Sequence, residues 1–178
     1  METTRNYLIS DRDISAIIFD LDQTLVDTKS IEFLRNSRKW KDIYPLIHTL
    51  LPYNGINDLL HDLQQNEYKV GLVTSTPRTY CDRILSHFNW NFDATICYHD
   101  TIRHKPYPEP YLKILKFLNT PIINAVAIGD DPKDIISANN AGLCSIAALW
   151  GCENPDLLKK SNPDYICENV IELRNMFC

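Results

Sequence analysis

The stretch Ala16-Ile17-Ile18-Phe19-Asp20-Leu21-Asp22-Gln23-Thr24-Leu25-Val26-Asp27 decides the fold. A short apolar run delivers two aspartates, at i and i+2, to the place where a strand should end. Alternate side chains of an extended chain share a side, so Asp20 and Asp22 face the same way. Two carboxylates that close repel each other unless something positive stands beside them. A hard divalent cation with oxygen ligands, most simply Mg²⁺, answers that need. An ionised aspartate beside a metal can attack phosphorus, and a second carboxyl can shuttle a proton. The stretch therefore points to metal-assisted phosphoryl transfer.

Outward from it, the chain alternates. Ile14–Phe19 reads as a buried strand, followed by Val70–Val73, Ala94–Cys97, Ala125–Ile128, Leu143–Leu149 and a short Tyr165–Cys167. Helical patterns lie between them. Ile56–Gln65 carries apolar residues at 56, 59, 60 and 63; Thr79–Phe88, Pro108–Leu118 and Pro132–Asn140 follow, then Pro155–Lys160 and Val170–Phe177. Pro77, Pro108 and Pro132 sit where helices would begin, which suits a residue without an N–H. Gly142 fits a C-terminal cap. Strands alternating with helices imply a parallel sheet covered on both faces, with ligands at the C-terminal strand ends.

With 178 residues and 44% hydrophobic content, the chain suits one domain spanning 1–178 with a small insertion. Its net charge of −5 weighs against a general nucleic-acid binder, though a local basic patch stays open. No apolar run is long enough to span a membrane. Met1-Glu2-Thr3-Thr4-Arg5 lacks the apolar core of a secretory signal. The six cysteines form no C-x-x-C pair and read as reduced thiols of a cytoplasmic protein.

One segment breaks the alternation. Between Thr28 and Pro52 there is no strand signal, and Ile31, Phe33, Leu34, Trp40, Ile43, Tyr44, Leu46 and Ile47 suggest one or two short helices. This reads as an insertion at about 29–51, lying over the end of the first strand. Lys29, Arg35, Arg38, Lys39 and Lys41 against Glu32 and Asp42 make it basic in an acidic chain. Such a set is either a solvated helix face or a basic lid for an anionic substrate.

Each later strand end also carries useful chemistry. Thr74-Ser75-Thr76-Pro77-Arg78 offers hydroxyls and a helix start, either as a cap or as an anion site. Lys105 precedes the proline-stiffened Pro106-Tyr107-Pro108. Gly129-Asp130-Asp131-Pro132-Lys133-Asp134 places a second acidic cluster at a strand-to-helix junction; a cap alone does not account for three aspartates.

On these residues the chain resembles the haloacid-dehalogenase-like hydrolase superfamily, in its phosphoglycolate-phosphatase-like subgroup with a reduced cap. Asp20-Leu21-Asp22-Gln23-Thr24 looks like the D-x-D-x-T pattern of that family. Thr74, Lys105 and Gly129-Asp130-Asp131-Pro132-Lys133-Asp134 look like its three later motifs, and Leu149-Trp150-Gly151 is similar to a further segment. The resemblance implies a three-layer α/β/α Rossmann-like fold with a mostly parallel sheet and a short helical cap after the first strand. It implies a Mg²⁺-dependent phosphatase. Asp20 would be the nucleophile that forms an aspartyl-phosphate, and Asp22 the general acid and base. Thr74 and Lys105 would hold phosphoryl oxygens, with Ser75 and Arg78 as further substrate contacts. Asp20, the Asp22 carbonyl, Asp130 and Asp134 would hold the metal. Asp22 favours phosphate esters over carbon–halogen bonds, because only an alkoxide leaving group needs its proton. Gln23 departs from the usual glycine, and Ser75 from a frequent asparagine.

A cap this short implies an open site unless oligomerisation covers it, in a chain expected to be a monomer or homodimer. Phosphorylated small molecules or nucleotide-like substrates lead. Nucleic-acid or protein phosphate ends, a phosphosugar mutase and a non-catalytic regulatory module remain as alternatives.

Overall fold

The computed structural model describes residues 13–178; Met1–Arg5, read above for a signal, lie outside the described residues. Six parallel strands form the central sheet in the order β5-β4-β1-β6-β7-β8. The chain enters it at β1 (Ala16–Phe19) and leaves for a small excursion. There β2 (Val26–Asp27) and β3 (Leu51–Pro52) pair antiparallel as a stem, with Val26 opposite Pro52. Between them run α1 (Glu32–Asn36), α2 (Trp40–Ile43) and two 3₁₀ turns, Lys29–Ile31 and Tyr44–Thr49. No sequence signal marked the two-residue stem, which is too short to show any alternation.

The remaining elements follow as α3 (Ile56–Gln65), β4 (Lys69–Val73), α4 (Arg78–Phe88), β5 (Ala94–Ile96), α5 (Glu109–Leu118) and β6 (Ala125–Gly129). Then come α6 (Pro132–Ala141), β7 (Cys144–Ala148), α7 (Pro155–Lys160), β8 (Tyr165–Cys167) and α8 (Val170–Asn175). Every expected strand and helix is present, with ends shifted by a residue or two. The three-layer α/β/α fold is therefore the one expected.

All four β1 side chains are fully buried because the strand has a helical layer on each face. Ile17 and Phe19 share one cluster with Leu72, Ile128 and Ile146 of the sheet, Leu59 and Leu63 of α3, Ile84 of α4 and Leu173 of α8. Ala16 and Ile18 point the other way, into Tyr111, Ile114 and Leu118 of α5 and Ala138 of α6. In register, Phe19 stands level with Leu72 of β4 and Ile128 of β6. The chain grows away from β1 first through β4 and later through β6, so the switch point lies beside β1. The C-terminal ends of β1, β4 and β6 therefore open on one crevice. Among the described residues no helix is long and apolar enough to cross a membrane.

Candidate active site

Asp20 follows β1 directly, its N–H still donating to Ile128 O at 2.9 Å, so the sheet ladder fixes its backbone. The chain then turns tightly, with Leu25 N donating to Leu21 O at 2.9 Å. Leu21 and Leu25 are fully buried and draw this turn into the core. Gln23 sits at φ +68°, the left-handed region where a side chain costs energy. Its Oε1 offsets that cost by accepting from Tyr53 OH at 2.8 Å and Thr28 N at 3.2 Å. The substitution of the family's usual glycine is thus absorbed locally, and Gln23 spends its carbonyl oxygen inside the turn. Trp150 Nε1 donates to Thr24 O at 2.8 Å from the far side. Gly151 closes against the same turn: a Cβ there would stand 1.8 Å from Gln23 O.

At the end of β4, Thr74 N donates to Ile96 O at 2.9 Å, and Thr74 Oγ1 lies 2.8 Å from Thr76 Oγ1. Thr74 is buried and Ser75 is exposed. The loop carrying Lys105 is braced by Glu109, whose two carboxylate oxygens accept from Ile102 N and Arg103 N at 2.9 and 3.0 Å. Ser137 Oγ donates to Tyr107 O and ties the same loop to α6. So held, the Lys105 ammonium donates to Asp20 Oδ1, Asp134 Oδ1 and Val73 O, each at 2.7 Å. All three of its protons are used.

After β6, the two acidic tasks divide. Asp131 is the exposed N-cap of α6, with Oδ1 accepting from Lys133 N at 2.8 Å. Asp134 Oδ2 returns the bond to Asp131 N at 3.1 Å, completing a capping box. Asp130 turns the other way and accepts from Thr24 Oγ1 at 2.7 Å. Gly129 is required here: a Cβ would stand 2.4 Å from Asp134 Cβ.

The result is a ring. Asp20, Asp130 and Asp134 each present a carboxylate oxygen within 4.8 Å of the others. Burial pushes the Asp20 carboxyl up to about 7; Lys105 pulls it down, while Asp134 and Asp22 push it further up. Burial, then Asp20 and Asp134, hold the Asp130 carboxyl well above the usual range. Burial also raises Asp134 against the lowering pull of Lys105. Burial works against a charged Lys105, but Asp134 and Asp20 outweigh it. Three carboxylates thus share one ammonium, and Asp130 has only a neutral hydroxyl. The unbalanced charge of two, on hard oxygen donors, suits a divalent cation.

Asp22 has partners of its own. Tyr80 OH, from the first turn of α4, donates to its Oδ1 at 2.8 Å. Arg35 Nη2, from α1, stands 3.1 Å from its Oδ2. Trp40 packs on Tyr80 with ring centroids 5.4 Å apart. Sequence reasoning placed Arg35 only within the basic set of the 29–51 insertion, a solvated face or a lid, and did not single out Tyr80. The available signal was position: Tyr80 lies within three residues of the helix start that follows Thr74. Arg78 is placed elsewhere. Its guanidinium donates to Thr95 O at 3.0 Å and pairs with Asp100, neither of which belongs to the aspartate ring.

The pattern of the family described as haloacid dehalogenase-like hydrolase matches residues 31–148. The "Putative pyrophosphatase PpaX" of Caldanaerobacter subterraneus subsp. tengcongensis is 31% identical, over 90% of this chain and 93% of that protein. The pyrophosphatase PpaX of Bacillus mycoides is 24% identical, over 90% of this chain and 95% of its own length. Both alignments run over 204 positions, more than the 178 residues present here, so each relative carries segments that this chain lacks. A hydrolase of the haloacid dehalogenase superfamily from Ehrlichia chaffeensis superposes with a TM-score of 0.71 at 24% identity, covering 94% of this chain and 97% of that one.

Proposed function

Since the chain belongs to the haloacid dehalogenase-like hydrolase family, we propose that it is a Mg²⁺-dependent phosphatase working through an aspartyl-phosphate on Asp20. The observation that carries this reading is the Lys105 ammonium bonded to both Asp20 and Asp134, with Asp130 completing the ring. Lys105 holds Asp20 Oδ1, which leaves Oδ2 to attack phosphorus as the bond to the leaving oxygen breaks. Asp22, two residues along on the same side, gives that oxygen a proton and later takes one from the water that cleaves the aspartyl-phosphate. Thr74 would bind a phosphoryl oxygen, with Ser75 on the same loop, and Lys105 would exchange one of its three bonds for a phosphoryl oxygen when substrate binds. Asp20, the Asp22 carbonyl, Asp130 and Asp134 are the residues that would hold Mg²⁺. When bound, the metal supplies positive charge for the transferring phosphoryl group. Residues 29–51 form a cap over these strand ends. The named pyrophosphatase relatives make small phosphate esters and anhydrides the substrates to assay.

The test is phosphate release from an aryl phosphate, with Mg²⁺ and with a chelator, for the wild type and Asp20→Asn. Release that needs both the metal and Asp20 is expected. Release by Asp20→Asn at the wild-type rate would remove the nucleophile from the scheme.

A further inference from the structure

Helix α5 carries more apolar surface than its own packing uses. Pro110, Tyr111, Ile114, Leu115 and Leu118 are buried, so the opposite face of an amphipathic helix should be polar. Leu112 and Phe117 break that pattern, and Phe117 is 66% exposed. The loop before the helix adds Tyr107 and Ile102, the latter 90% exposed. Single exposed apolar side chains are ordinary, whereas a cluster of them around a concavity marks a recognition surface. Here Arg103, Pro108, Leu112, Lys113, Lys116 and Phe117 line an open trough of about 590 Å³ with mostly apolar walls. None of them belongs to the aspartate ring.

The rim of the trough is basic although the chain carries a net charge of −5. Arg103, Lys113 and Lys116 have only Glu109 among the lining residues to offset them. Glu109 spends both carboxylate oxygens on Ile102 N and Arg103 N. The Lys113 ammonium donates to the neutral carbonyl of Asp100, and the Arg103 guanidinium lies 5.7 Å from the Tyr107 ring centroid. Apolar wells and unspent cations therefore occur together.

We propose that this trough docks an acidic, apolar-anchored segment of a partner protein. A trough open to solvent suits a chain lying across it better than a small molecule, whose sites enclose most of its surface. Aliphatic or aromatic side chains of the segment fill the trough beside Leu112 and Phe117. Its carboxylates meet Arg103 and Lys116 at the rim, the arrangement of an apolar centre inside a polar border. A second copy of this chain is the wrong occupant. A two-fold pairing would set the same three cations against each other, and like charges across an interface cost affinity.

The experiment measures fluorescence anisotropy of three labelled peptides of equal length on the full chain. One sets leucine and phenylalanine among aspartates and glutamates. The second sets the same apolar residues among lysines, and the third keeps the acids but replaces the apolar residues with serine. An acidic chain attracts the lysine peptide over long range, so a preference for the acidic apolar peptide comes only from a local basic site. That peptide should bind at least about tenfold more tightly than either control, the scale of one charge-assisted bond. Arg103→Glu with Lys116→Glu should weaken it about tenfold or more. Phe117→Ser should weaken it by a similar factor through lost apolar contact. Raising salt from about 50 to 500 mM should weaken it as well. All three substituted side chains are exposed, so the variants keep their fold, and an unchanged Tm checks this. No binding, binding of either control as tight as that of the acidic apolar peptide, or binding indifferent to these substitutions would overturn the proposal. A dimer in sedimentation that Phe117→Ser dissolves would overturn it too, since a second copy would then cover the trough.

Discussion

Asp130→Asn should make the metal-free protein more stable. Asp130 Oδ1 accepts from Thr24 Oγ1, and an asparagine oxygen accepts as well, so the bond survives. What disappears is one charge facing Asp20 and Asp134 within 4.8 Å. At that distance and an effective dielectric near 20, each like-charged pair costs about 3.5 kcal/mol. Lys105 is bonded to the other two aspartates, so its field offsets part of that cost. A net gain of about 1–3 kcal/mol is expected, raising Tm by roughly 3–10 °C for a chain of this size. The pH dependence has a definite sign. The Asp130 carboxyl titrates above its unfolded value. Its stabilising protonated form is fully present below about pH 4 and is lost as pH rises through the raised value. The gain should therefore be large at pH 8 and shrink at pH 5. Excess Mg²⁺ should close or reverse the gap, since binding at about a hundred times Kd stabilises the wild type by about 2.7 kcal/mol and the variant lacks a ligand. Thermal unfolding at both pH values, with chelator and with Mg²⁺, reads all four arms. A metal-free Asp130→Asn that melts at or below the wild type at pH 8 would refute the unbalanced-charge account.

Lys105→Met keeps the buried stem but strands Asp20 and Asp134 without their cation. It should cost about 3–5 kcal/mol in urea unfolding at pH 8, and less at pH 5, where burial has already favoured the protonated acids. A cost under about 1 kcal/mol would mean that the ring relaxes freely. Tyr80→Phe removes only the hydroxyl on Asp22 and keeps the Trp40 packing. It should cost about 1 kcal/mol of stability and slow alkyl phosphates more than aryl phosphates, whose leaving oxygens need little protonation. Equal slowing of both would deny the hydroxyl a part in positioning Asp22.

The sheet was legible because both of its faces are buried. Strands such as Ala125–Gly129 read as unbroken apolar runs, and α3 shows its four buried positions at helical spacing. The acidic ring was legible because Asp20 and Asp130 sit at strand ends and Asp134 in the first turn of the helix that follows, where topology brings them together. The division between Asp131 and Asp130 came only from the family resemblance; both follow Gly129, and in the fold it is the capping geometry of α6 that separates them. The Tyr80–Asp22–Arg35 chain was not legible. It joins α1 and α4 to the turn after β1, and no local spacing encodes a contact across 58 residues. Gln23 fell between: its odd chemistry was visible, but its answer, Tyr53, lies 30 residues away.

That Tyr80 contact also bears on how substrate enters. The 29–51 excursion could act as a swinging lid only if it came away from the core. Ile31, Ile43, Ile47 and Leu50 are buried in the same cluster as Ile17 and Phe19 of the sheet. Exposing four such side chains would cost about 6–12 kcal/mol, comparable to the whole stability of a typical domain. Trp40 on Tyr80 and the Arg83 guanidinium 4.5 Å from the Tyr44 ring centroid fasten the excursion to α4 as well. The energetics therefore favour a fixed rim.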